Sequence, residues 1–86
     1  MYRFPRTRFV DQNSLAQQID HIGGEVDEAI LAHISGEGLQ RVAEELVDVI
    51  HSAETALRII QEKGGVSVTD IPLQVSSKNH LRDYYS

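Results

Sequence analysis

Residues 25–50 read EVDEAILAHISGEGLQRVAEELVDVI, and the break in the middle of that stretch decides the fold. Ser35-Gly36-Glu37-Gly38 interrupts two amphipathic runs, and glycine supplies the left-handed backbone at which a helix ends. Upstream, Leu15, Ile19, Ile22, Val26, Ala29 and Ile30 recur at three- and four-residue steps, the period of a helix face. This first helix is expected from about Asn13 or Ser14, either of which can cap it, to about Ser35. Downstream, Leu39, Val42, Leu46, Val49, Ile50, Ala53, Leu57 and Ile60 form a second stripe, over a helix from about Leu39 to Glu62. Lys63-Gly64-Gly65 ends it, with the lysine near the negative end of the helix dipole. Two long helices joined by so short a connection lie antiparallel.

The acids fall into register on that hairpin. Glu25 and Glu28 are three residues apart, as are Glu45 and Asp48, so each pair projects to one side of its helix. With the turn centred between Gly36 and Glu37, Glu28 stands level with Glu45, and Glu25 level with Asp48. The two levels are roughly 13 and 17 Å from the loop at helical rise. Both pairs lie roughly 100–140° from the centre of their apolar stripe, flanking the core. Ser52, Ala56 and Ile59 continue that side of the second helix and Ala32 that side of the first, which lets another helix approach and partly cover the acids. Four carboxylates in a covered cleft repel one another and are costly to desolvate, and a bound cation removes both problems. Glu25, Glu28, Glu45 and Asp48 are therefore read as one divalent-metal site. Oxygen ligands without a thiolate favour Mg²⁺ or Mn²⁺, and such an ion carries substrate phosphates. An acid left over can orient a water as general base. His21, four residues before Glu25, falls on the carboxylate side as a further ligand or phosphate contact. His51 points farther from the acids, and His33 sits on the apolar side, so both suit a core or interface. Gly23-Gly24 lies inside the first helix and permits close helix packing.

Outside the hairpin the chain is short of signals. Residues 1–12 form an arm with Pro5, three arginines, Tyr2, Phe4 and Phe9, suited to packing on a neighbour. Residues 66–86 form a tail in which Asp70 can cap a short third helix from about Ile71, with Pro72 tolerated in its first turn. Lys78 and Arg82 then share one side of it, one turn apart.

Composition narrows the class. Eighty-six residues allow one domain, marginal as a monomer, so self-association is expected. With 41% hydrophobic residues the chain is not of disordered composition. No apolar run approaches a membrane span, and residues 1–10 lack the apolar segment of a signal peptide, so a cytoplasmic protein is expected. The absence of cysteine excludes disulfides, thiolate-bound zinc and a cysteine nucleophile. The net charge of −5 is concentrated between residues 11 and 65, where eleven acids face Arg41, Arg58 and Lys63. An acidic centre disfavours a nucleic-acid polymer and suits a metal ion with a phosphate, which the basic flanks can also meet.

The pattern Glu25-x-x-Glu28, a spacer, then Glu45-x-x-Asp48 resembles the signature of the MazG-type all-α nucleoside triphosphate pyrophosphohydrolases. The surrounding text is similar too: Gly24-Glu25-Val26-Asp27-Glu28-Ala29, Ala43-Glu44-Glu45-Leu46-Val47-Asp48-Val49-Ile50, and the tail from Lys78 to Tyr85. The likeness spans about residues 13–85. It implies an all-α hairpin that assembles into a four-helix-bundle-like dimer or tetramer. It implies hydrolysis of a nucleoside triphosphate to a monophosphate and pyrophosphate, with Mg²⁺ held by Glu25, Glu28, Glu45 and Asp48. Lys78 and Arg82 would contact phosphates, of their own subunit's site or of a neighbouring one's. Where many members carry another acid just before the first motif position this chain has Gly24, and it has no tryptophan to stack on a base. Two other classes fit the same helices. One is a non-enzymatic oligomerisation or interaction module. The other is a carboxylate-bridged di-metal bundle, for which only Asp48-x-x-His51 comes near the Glu-x-x-His pattern.

Overall fold

A computed structural model describes residues 2–85, all helix and connecting segments, with no strand among them. Helix α1 spans Phe9–Gln12, α2 Leu15–Ile34, α3 Leu39–Gly64 and α4 Ile71–Leu81. The long pair α2 and α3 pack on each other as the antiparallel hairpin expected from the sequence.

Local chemistry sets the boundaries. Ser14 caps α2 reciprocally: its hydroxyl accepts from Gln17 N–H, and the Gln17 side chain accepts from Ser14 N–H. At the turn Gly36 and Gly38 take φ of 67° and 97°, which side chains disfavour. Helix α3 stops at Gly65, left-handed at φ 68°, with Lys63 in its last turn. Pro72 sits in the first turn of α4 as expected, but Asp70 makes no capping hydrogen bond.

The buried seam differs from the expected one. The seam between the two helices runs through Gln18, Ile22, Glu25, Ala29 and Ala32 on α2, and Val42, Glu45, Val49, Ser52, Ala56 and Ile59 on α3, all buried or half-buried, and Thr55 of α3 is buried beside it. Both series keep helical spacing, yet both are turned toward the acids. The centre of the expected apolar stripe is left open: Ile19 is 56% exposed, and Val26, Ile30, Leu46 and Ile50 are also exposed. Small side chains explain the rotation. Ala29, Ala32, Ser52 and Ala56 let the two backbones approach, and the helix expected to cover the acids is the other arm of the hairpin itself. A stripe this broad is wider than one partner helix can cover. His33 is exposed and takes no part in the core of the chain. Gly23 and Gly24 are exposed too, with nothing within 4 Å of where a Cβ would stand, so they serve no close packing within the chain.

The N-terminal arm packs on its own α3. The Glu54 carboxylate accepts from the backbone N–H of Arg3 and of Phe4, at 2.8 and 3.1 Å. Arg58 donates to the Phe4 carbonyl and lies over the Tyr2 ring, while Phe4 stacks on His51 with centroids 4.4 Å apart. Arg6 bridges Asp11 and Glu62, and Val10 of α1 is fully buried. Helix α4, by contrast, buries none of its residues and has no extended packing against the hairpin. No helix of the described residues is long and apolar enough to cross a membrane.

Candidate metal centre

Equal distance from the turn brings acids of the two helices together. Glu25 on α2 and Glu45 and Asp48 on α3 each offer a carboxylate oxygen, and these atoms lie within 4.8 Å of one another. Three of the four expected ligands thus form one group. Glu28 is exposed and outside it, but lies close enough to Glu45 to act on its ionisation.

Glu45 is the unusual member. It is 3% exposed, because it falls on the seam. Its Oε1 is paired with Arg41 Nη2, one turn back on α3. Its Oε2 is buried with no hydrogen-bond partner. Burial pushes the Glu45 carboxyl above its usual range; Arg41 opposes this, and the neighbouring Glu28 and Asp48 add to it. A buried carboxylate oxygen without a partner is rare in folded proteins and marks a place for a proton or a cation. Three carboxylates on two helices, one of them with an orphaned oxygen, fit Mg²⁺ or Mn²⁺.

A cavity of about 150 Å³ adjoins the acids, and Glu25, Asp48, His21, His51 and Phe9 are among the residues that line it. His21 lies where expected: its Nε2 is 3.2 Å from Glu25 Oε1, and its ring is tilted against Phe9 at 5.7 Å. His51 is half-buried, as a core position would be, but it also lines the cavity beside the acids, with Phe4 stacked on its ring and Nε2 buried and unpartnered. Lys78 lies on α4 and Arg82 at its C-terminal cap, and neither makes an ion pair with the carboxylates among the described residues.

Arg41 was missed as a site residue, although its spacing of four from Glu45 on a helix is a readable signal. Gln18 carries no such signal: it is 1% exposed and donates to the Ser52 carbonyl, but a lone glutamine on a helix reads as a solvated residue.

Comparison with protein-family models, curated proteins and solved structures finds no match for the chain.

Proposed function

We propose that the protein is a Mg²⁺-dependent nucleoside triphosphate pyrophosphohydrolase, converting a ribo- or deoxyribonucleoside triphosphate and water to the monophosphate and pyrophosphate. The observation that carries this reading is the meeting of Glu25, Glu45 and Asp48 across the hairpin, with the buried Glu45 Oε2 unpartnered. The MazG-like spacing of the same acids adds to it.

Glu25, Glu45 and Asp48 would hold the ion, which supplies positive charge to the phosphate oxygens. Glu28, beside Glu45 but outside the three, is the acid free to orient a water and take its proton. The water oxygen bonds to the α-phosphorus as the bond to the bridging oxygen breaks, and pyrophosphate leaves. His21 holds Glu25 through its imidazole and so fixes one ligand of the group.

A second copy of the chain completes the site in this reading. The cavity of about 150 Å³ is smaller than the ~300 Å³ or more of ordinary small-molecule pockets. Lys78 and Arg82 stand apart from the acids of their own chain, and Ile19, Ile30, Leu46 and Ile50 leave an apolar stripe open. Dimers or tetramers of hairpins would cover that stripe as a four-helix-bundle-like assembly.

Incubation with a panel of ribo- and deoxyribonucleoside triphosphates, with and without Mg²⁺, tests the reading. Monophosphate and pyrophosphate are the expected products. No turnover of any of them, or release of orthophosphate alone, would rule it out. The open stripe also favours a second reading, a non-enzymatic interaction module, which predicts oligomers without metal affinity or turnover.

A further inference from the structure

The acidic group already has a cation beside it. Arg41 Nη2 pairs with Glu45 Oε1, and the same guanidinium lies 3.7 Å from Glu44 and 3.9 Å from Glu37. The Arg41 side chain is half exposed, whereas that of Glu45 is 5% exposed. A carboxylate so buried needs compensation, and only one of its oxygens has any. The other two bases of the hairpin are engaged elsewhere. Arg58 donates to the Phe4 carbonyl, and Lys63 reaches the carbonyls of Asp11 and Asn13.

We infer that Arg41 is a displaceable counter-ion. It neutralises Glu45 in the cation-free protein, yields that carboxylate to an entering divalent ion, and then contacts the phosphates the ion carries. The inference rests on the metal-dependent reading above. Three features of the site support it. A divalent ion among Glu25, Glu45 and Asp48 offers more charge than one guanidinium and can also serve the orphaned Oε2. Arg41 is not stranded when it leaves, because Glu37 and Glu44 already hold it loosely at the rim. It borders two surface depressions beside the acids, one shared with Glu44 and Asp48 and the other with Glu28 and Glu45, although not the cavity lined by Glu25 and His21. A small swing therefore keeps it at the cleft edge, where the planar fork of a guanidinium matches phosphate oxygens in pairs. Neither Lys78 nor Arg82 borders these depressions.

Two binding measurements on the full chain test this: Mn²⁺ titration followed by the resonance signal of the free ion, and calorimetry of inorganic pyrophosphate at saturating Mn²⁺. Arg41→Gln should bind Mn²⁺ about threefold to tenfold more tightly, the sign expected when a positive charge a few ångströms away is removed. It should bind pyrophosphate about tenfold more weakly or worse, having lost a bidentate contact. Arg41→Lys, a point charge without the fork, should restore only part of the pyrophosphate affinity. Weaker Mn²⁺ binding by Arg41→Gln with helical content intact would overturn the inference, since Arg41 would then position Glu45 instead of competing for it. Unchanged pyrophosphate binding would overturn it as well. Should Arg41→Gln not fold, Arg41→Lys with pyrophosphate affinity at the wild-type level is the overturning result. Both shifts without triphosphate hydrolysis leave the counter-ion in place and sink the proposed reaction. Hydrolysis without either shift does the reverse, and a wild-type protein that binds no Mn²⁺ overturns both.

Discussion

The Gln18 side-chain amide donates to the Ser52 carbonyl at 3.1 Å across the hairpin, and Gln18 is 1% exposed. Its oxygen in turn accepts from Asn13 Nδ2 at 2.9 Å, so one side chain ties the entry of α2 to the middle of α3. Gln18 and Ser52 also line the cavity beside the acids. Gln18→Ala removes both bonds and leaves a buried carbonyl without that donor. The expected loss is about 2 kcal/mol, summing a lost hydrogen bond and a buried group left unserved. Urea unfolding at one fixed protein concentration measures it; the concentration must be held because any self-association adds to apparent stability. Gln18→Glu, which cannot donate and adds a charge near Glu25 and Asp48, should be worse than alanine.

Glu45→Gln separates the site from the scaffold. The amide keeps the shape of the side chain and removes a carboxylate that is 3% exposed and half unpartnered. Turnover should vanish and Mg²⁺ affinity should fall at least about tenfold, since one hard anionic ligand of three is gone. Helical content should not change, because α3 is capped by its glycines and not by this residue. Circular dichroism and calorimetric Mg²⁺ titration check the two halves. A variant that still hydrolyses a triphosphate would remove Glu45 from the site.

The arm carries its own pH dependence. Hydrogen bonds from Arg6 hold the Asp11 and Glu62 carboxyls below their ordinary values of 3.8 and 4.5. A carboxyl depressed in the folded state contributes stability that is present above its unfolded value. That contribution is lost as pH falls through the depressed folded value. The arm should therefore stay docked at pH 5 and above, and loosen on acidification below about pH 4. All three groups are well exposed, so added salt should weaken the effect. Limited proteolysis of residues 2–8 as a function of pH reads it directly. In Arg6→Ala that dependence should flatten. An unchanged acid limb would show that the triad holds nothing.

Gly23 and Gly24 offer a test in the stabilising direction. Both are interior to α2, exposed and without a neighbour within 4 Å of a Cβ position. Each change to alanine should raise stability by about 0.5–1 kcal/mol, by removing backbone freedom from the unfolded chain. Thermal unfolding of the two single variants checks this. A loss of stability at either position would mean that another chain packs against this face, and would restore the close-approach role that the sequence suggests.

The hairpin and its register were legible because their causes are local. Ser14, Gly36, Gly38 and Gly65 act on the residues beside them, and spacing from the turn then brings Glu25, Glu45 and Asp48 to one level, although it does not tell that Glu28 stays outside the group. The rotation of the seam was not legible. The apolar stripe reads as the core because it is apolar, but burial went to the side where Ala29, Ala32, Ser52 and Ala56 allow close approach. Docking of the arm was hidden for another reason. It depends on Glu54 reaching backbone groups of Arg3 and Phe4 about fifty positions away, and on Phe4 meeting His51. No local pattern announces either contact. Arg41 is legible in principle, since a base four residues before Glu45 on a helix falls beside it.

The open stripe makes a prediction about assembly. Ile30 is 51% and Leu46 52% exposed, on helices whose own seam is filled by smaller side chains. Burying the exposed half of each such side chain against a second copy contributes about 1 kcal/mol. Wild-type protein should sediment as a dimer or tetramer at micromolar concentration. Ile30→Lys with Leu46→Lys should weaken association by roughly a hundredfold or more, from the lost burial and the charges placed in an apolar contact. The helices should persist in that variant, because neither residue lies in the seam between α2 and α3. Turnover should fall with the oligomer if a second chain completes the cleft, and should survive if one hairpin suffices. Sedimentation and activity measured over the same dilution series distinguish the two, and a wild-type chain that stays monomeric at high concentration would refute the assembly outright.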